Sequence, residues 1–131
     1  MHTIVEEVAS VDDFLRLREV AGLSARSREA AEKGLPGSLY GVQVMRDTRT
    51  IGMGRVVGDG ALNFEIVDVA VEPAFQGQGL GQLIMENIMA YLDRSAPATA
   101  YITLMADVPA LYEKFGFKLS RPRSEGMYII R

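Results

Sequence analysis

The sequence predicts a single α+β (mixed α/β) domain, and three features predict it. Three β-rich segments follow one another across short turns, a strand, helix, strand succession comes behind them, and apolar residues recur at helical spacing in between. At 131 residues the chain has the length of one domain spanning 1–131, enough for one core and too short for two.

The elements read in order as follows. "TIVEEV" is a first strand. "SVDDFLRLREVAGL" is a helix: Ser10 stands as N-cap, acids fill the first turn, and Val11, Phe14, Leu15 and Leu17 supply an apolar face. "SARSREAAEKGLPGS" is a weaker second helix closed by Gly34, with Pro36 and Gly37 preventing its continuation. "LYGVQVMRD", "IGMGRVVG" and "ALNFEIVDVAV" are strands separated by "DTRT" and "GDG", and so form an antiparallel meander. Pro73 stops the third of them. From Gly79 to Leu92, the residues Leu80, Leu83, Ile84, Ile88, Tyr91 and Leu92 make the stripe of a helix laid on a sheet. "TAYITLMA" is the strand after it, which suggests a right-handed parallel crossover. "VPALYEKFGF" is a short helix ending near Gly116, and "MYII" is a last strand.

Composition removes several mechanisms. Without cysteine there is no disulfide framework, no cysteine-ligated zinc and no cysteine nucleophile. The only histidine is His2, so a Ser/His triad or a histidine-rich metal site has little to stand on, and no metal is expected. A net charge of −3 without a basic block excludes a nucleic-acid footprint. No apolar run suggests a membrane span and no leader pattern opens the chain, so the expected location is cytoplasmic.

Gly77, Gly79 and Gly81 fall between a strand and the first turn of a helix, where backbone N–H groups lack intrahelical partners. Glycine there lets an anion reach those donors and the positive end of the helix dipole. The bland alternative is a tight turn with close packing. A P-loop is excluded, because Gln82 follows Gly81 where lysine is required. A dinucleotide fingerprint is excluded as well, since Gln82 or Ile84 takes the place of its third glycine.

Gln76, Gly79 and Gly81, set as Q-x-x-G-x-G after "DVAVEP" and before an amphipathic helix, resemble the acetyl-CoA loop of the GNAT superfamily of N-acetyltransferases. "ALYEKFGFK", Ala110 to Lys118, is similar to that family's segment carrying a tyrosine beside the cofactor thiol. The resemblance covers essentially the whole chain. It implies a twisted, mixed, mostly antiparallel sheet of six or seven strands flanked by about four helices. It further implies acetyl-CoA as co-substrate, paired along Val69, Ala70 and Val71, with its pyrophosphate on the amides of Gln76, Gly77, Gln78, Gly79, Leu80 and Gly81. Many relatives carry an asparagine ahead of the tyrosine; "MADVPALY" offers Asp107 instead.

The implied reaction moves an acetyl group to a primary amine of a small molecule or peptide by direct attack in a ternary complex. Tyr112, a phenol of pKa near ~10, is the general acid toward a thiolate of about 8.5. Glu65 and Asp68, acids within "NFEIVDVAV", are the candidate bases, with Glu65 preferred. Strand alternation sets Glu65 with Val67 and Val69, and Asp68 on the other face with Ile66 and Ala70, unless a bulge intervenes. Phe64, Phe75, Phe115, Phe117, Met45, Met53, Met85 and Met89 read mainly as core, and Arg26 and Arg28 as a solvated face. Two alternatives remain: a CoA or acyl-CoA sensor without catalysis, and an unrelated phosphate-binding α+β domain. A homodimer through the C-terminal strands is compatible with the sequence.

Overall fold

The computed structural model describes residues 2–131. Strand β1 (Thr3–Val5) leads to α1 (Val11–Val20), whose cap is the expected one: Ser10 Oγ accepts from the Asp13 amide at 3.1 Å. Helix α2 (Arg28–Gly34) is capped likewise by Ser27, which accepts from the Ala30 amide at 3.0 Å. Its end differs from the expectation. Gly34 keeps right-handed angles (φ −86°, ψ −39°) and the chain tightens into a 3₁₀ turn over Leu35–Gly37, so Pro36, not a left-handed glycine, closes the element.

The meander forms as expected from β2 (Tyr40–Arg46), β3 (Arg49–Gly58) and β4 (Asn63–Val71). After a 3₁₀ turn at Pro73–Phe75 come α3 (Leu80–Ser95), β5 (Tyr101–Leu104) and α4 (Pro109–Glu113). The sheet order is β1-β2-β3-β4-β5, antiparallel throughout except for the parallel pair β4 and β5.

Two cores sit on the two faces. Ile84, Met85, Ile88 and Leu92 of α3 pack on Val42, Val44, Val56, Phe64 and Ile66. Phe14 and Leu17 of α1 and Ala31 of α2 pack on Met53 and Ala70. Leu80 belongs to the first core, while Leu83 and Tyr91 of the expected stripe are only half-buried at its edge. Among the four phenylalanines expected as core, only Phe64 is fully enclosed; Phe75, Phe115 and Phe117 border the α3 core.

Among the described residues the sheet has five strands, not six or seven. "MYII" is not a strand: Met127, Tyr128, Ile129 and Ile130 are 89%, 81%, 88% and 70% exposed. A strand needs a ladder partner, and the Ser124 amide, bonded at 2.9 Å to the Ser120 carbonyl, closes a turn that carries this run away from the sheet.

Candidate functional site

The glycine loop begins where β4 is tied off. The Glu72 amide donates to the Ile51 carbonyl at 2.8 Å, and the Glu72 carboxylate pairs with Arg49 at 2.5 Å. Gln76 Nε2 then donates to the Val71 carbonyl at 3.1 Å and folds the loop back on the strand end. Sequence reasoning assigned Gln76 only a backbone amide; its side chain is also the latch.

Gly77 and Gly79 both have φ +78°, the left-handed region that side chains rarely enter. Gly79 is the N-cap of α3, and among the described residues no side chain caps that helix. Among the described residues, no acceptor meets the amides from Gly77 to Gln82. A Cβ at Gly77 or Gly79 would meet nothing within 4 Å, so the approach to these donors is open. Gly81 is helical instead, and a Cβ there would lie 3.6 Å from Leu111 Cδ2, which places the first turn of α3 against α4. Free amides, the positive end of a 16-residue helix and unobstructed space fit the pyrophosphate of a CoA-type cofactor.

Beside the loop the sheet parts. Strands β4 and β5 pair from Asn63 opposite Tyr101 to Ile66 opposite Leu104, and beyond that point β4 runs on along β3 alone. Val69, Ala70 and Val71 therefore have no strand partner on the β5 side among the described residues. Their side chains are used for packing: Val69 and Val71 against the α3 core, Ala70 in the α1 core.

A bulge at this point changes the faces. Met53 opposes Ala70 and Arg55 opposes Val67, so β4 holds one extra residue, and Asp68 absorbs it with φ +58°. Phe64 and Ile66 face α3, which turns Glu65 to the opposite face. Asp68 faces that same side, where it binds Arg18 of α1. The two acids thus share a face, and Val69 leaves it for the α3 side, contrary to simple alternation.

Their surroundings differ. The Asp68 carboxylate is buried between Arg18 Nη1 and Arg55 Nε, the latter at 2.5 Å. Arg18 also donates to the Ser24 carbonyl at 2.8 and 2.9 Å, and Arg55 to Ser38 Oγ at 3.0 Å. This cluster ties the segment after α1 to the bulge. Burial pulls the Arg18 pKa down, and the Asp68 charge pushes it back up. Glu65, opposite Val57 and Thr103, carries no hydrogen bond or ion pair among the described residues. Arg26 and Arg28 are exposed, bonded to Ser24 at 2.7 Å and Asp12 at 2.7 Å.

Tyr112 stands on α4, half-buried against the α3 core. Burial first, and the nearby Asp107 carboxylate second, raise its pKa above that of an ordinary phenol. It also lines a groove of about 650 Å³ along the outer side of β5. No group of three or more His, Asp or Glu side chains that could hold a metal occurs among the described residues.

A five-stranded mixed sheet that opens at its parallel pair, beside a helix start with free amides, defines an α+β domain with a free strand edge next to an open, glycine-lined loop. The chain belongs to the GNAT family: residues 39–119 match the acetyltransferase (GNAT) domain. A solved structure from meticillin-resistant Staphylococcus aureus, described as a protein of unknown function and probable acetyltransferase, superposes with a TM-score of 0.95 at 47% identity, covering 100% of both chains. The histone acetyltransferase TAP1 of Glycine max is 36% identical over 68% of this chain. The chloroplastic serotonin N-acetyltransferase 2 of Oryza sativa subsp. japonica is 35% identical over 63% of it. The chain spans only 38% and 42% of the lengths of those two relatives.

Proposed function

We propose that the protein is an acetyl-CoA-dependent N-acetyltransferase acting on a primary amine by direct attack in a ternary complex. The observation that carries this reading is the open, amide-lined loop at the parting of β4 and β5, with the helix of Tyr112 packed on its first turn. The residues from Gln76 to Gly81 would hold the pyrophosphate, and the free edge from Val69 to Val71 the extended arm. When bound, acetyl-CoA supplies an activated thioester whose acetyl group passes to the amine while sulfur leaves as thiolate.

The chain's own groups handle the protons. Tyr112, its pKa raised, stays protonated at neutral pH and donates to the departing sulfur. An alkylammonium of pKa roughly 10 must lose a proton before nitrogen can attack. Glu65 is the base in this reading, acting through water, because Asp68 is held by two arginines and serves to position the bulge.

Two variants check these roles. Gly79→Val forces a branched side chain onto a left-handed backbone and into the space over the amides. It should raise KM for acetyl-CoA about tenfold or more, one decade being about 1.4 kcal/mol of lost binding. Unchanged calorimetric affinity would dismiss the cradle. Glu65→Gln should lower kcat/KM for the amine about tenfold near neutral pH, with recovery as rising pH supplies free amine. A pH profile parallel to that of the parent would remove Glu65 from the mechanism.

The names of the relatives span a histone and serotonin, so the acceptor must be found directly. Acetyl-CoA-dependent thiol release should be measured over a panel of small amines and peptides, with acetyl-CoA binding followed by calorimetry. Turnover establishes the transferase; absence of both binding and turnover overturns the reading.

A further inference from the structure

Three guanidiniums gather around the single carboxylate of the bulge, in a chain whose net charge is −3. Arg18 and Arg55 hold Asp68 between them, and both guanidiniums lie within 5.8 Å of the Phe14 ring centroid. Arg26 joins through Ser24, whose hydroxyl accepts from Arg18 Nη2 at 3.0 Å and from Arg26 Nη1 at 2.7 Å. Burial lowers the Arg18 pKa and Asp68 raises it, while the charges of Arg26 and Arg55 lower it again, so repulsion among the arginines is left over.

The surplus sits on the two arginines that reach solvent. Arg18 is spent, with Nε and Nη2 on Ser24 and Nη1 on Asp68. Arg55 bonds Asp68 through Nε and Ser38 through Nη1, which leaves Nη2 without a partner among the described residues. Arg26 is exposed and meets no carboxylate among the described residues, whereas Arg28 is paired with Asp12 at 2.7 Å. Glu65 shares this face. It opposes Val57, and Arg55 opposes Val67, so Glu65 and Arg55 are diagonal neighbours, roughly 7–8 Å apart at the backbone.

This inference rests on the function proposed above, in which the cofactor arm runs from the loop along Val71 to Val69, toward Asp68. An acceptor that approaches on the Asp68 face meets Glu65 and the arginines together. We propose that the acceptor is a small amine carrying its own carboxylate, the amine held at Glu65 and the carboxylate at Arg55 and Arg26. A guanidinium matches a planar carboxylate in geometry as well as charge. The diagonal spacing sets the two groups a few bonds apart in one molecule. An amine without the anion leaves the cationic surplus uncompensated, which discriminates against it.

The test compares matched pairs: glycine with glycinamide, β-alanine with β-alaninamide, and γ-aminobutyrate with its amide. Thiol release should show the acid ahead of its amide by at least about tenfold in kcat/KM in one pair or more. Arg26→Glu should lower that ratio about tenfold or more, chiefly through KM for the acid, and Arg26→Lys should keep most of it. Circular dichroism should show the fold retained in both, since Arg26 is exposed. Calorimetry with the N-acetyl forms of the three acids and of their amides, which lack the reacting amine, reads the site without turnover. An acid should bind at least about tenfold more tightly than its amide, and Arg26→Glu should erase the difference. The proposal is overturned if every amide is used as well as its acid, or if Arg26→Glu leaves the preference in place; the transferase reading survives either result. Binding of the acids without turnover on any amine supports the arginine site and overturns the transferase reading instead.

Discussion

Tyr112→Phe should lower kcat by about 100-fold or more, while acetyl-CoA binding changes by less than about threefold. The ring packs half-buried against the α3 core and phenylalanine keeps that packing, so only the hydroxyl is lost. The direction of its pKa matters. Burial and the Asp107 charge favour the neutral phenol, so the donor form persists as pH rises through 7 to about 9, where an amine acceptor becomes free. The parent rate should therefore climb over that interval with no fall due to Tyr112. Asp107→Asn removes one of the two causes, and should move the basic limit of the profile downward. Steady-state kinetics against pH, with single-turnover measurements of the chemical step, check both. Full turnover in Tyr112→Phe would pass the proton to water.

The second large effect is on stability. Asp68→Asn should destabilise the fold by about 3 kcal/mol or more, because it leaves Arg18, itself only 7% exposed, as a buried cation facing a neutral group. Asparagine tolerates the φ of +58°, so this variant isolates the charge; Asp68→Ala should cost roughly 1 kcal/mol more through the backbone. Denaturation in urea would show the difference as a lowered midpoint at constant slope. Arg18→Met combined with Asp68→Leu should recover part of the loss, since an apolar pair does not strand a charge. A midpoint shift below about 1 kcal/mol in Asp68→Asn would mean that water reaches the arginines.

What the sequence disclosed was local. The cap at Ser10, the meander and the α3 stripe follow from propensity and spacing within a few residues. The loop from Gln76 to Gly81 was legible because left-handed turns call for glycine. Long-range facts were hidden. The bulge that sets Glu65 and Asp68 on one face depends on register with β3, and the arginines on Asp68 come from 50 and 13 residues away. Their separation in sequence is why Asp68 reads as a candidate base from "NFEIVDVAV" alone. "MYII" has every mark of a strand except a partner, and composition cannot supply one.

The sheet order also governs how the chain assembles. Within the meander, β2, β3 and β4 pair across short loops, whose entropic cost is small. Two pairings wait on longer connections: β1 meets β2 across α1 and α2, and β5 reaches β4 only after the whole of α3 has been laid down. During synthesis, β1 to β4 can form while β5 and α4 still await the ribosome. That late segment is short, shallowly buried and carries Tyr112. It should be the part that opens first in the folded molecule, so warming or mild denaturant should release Tyr112 while most of the sheet stays protected from hydrogen exchange.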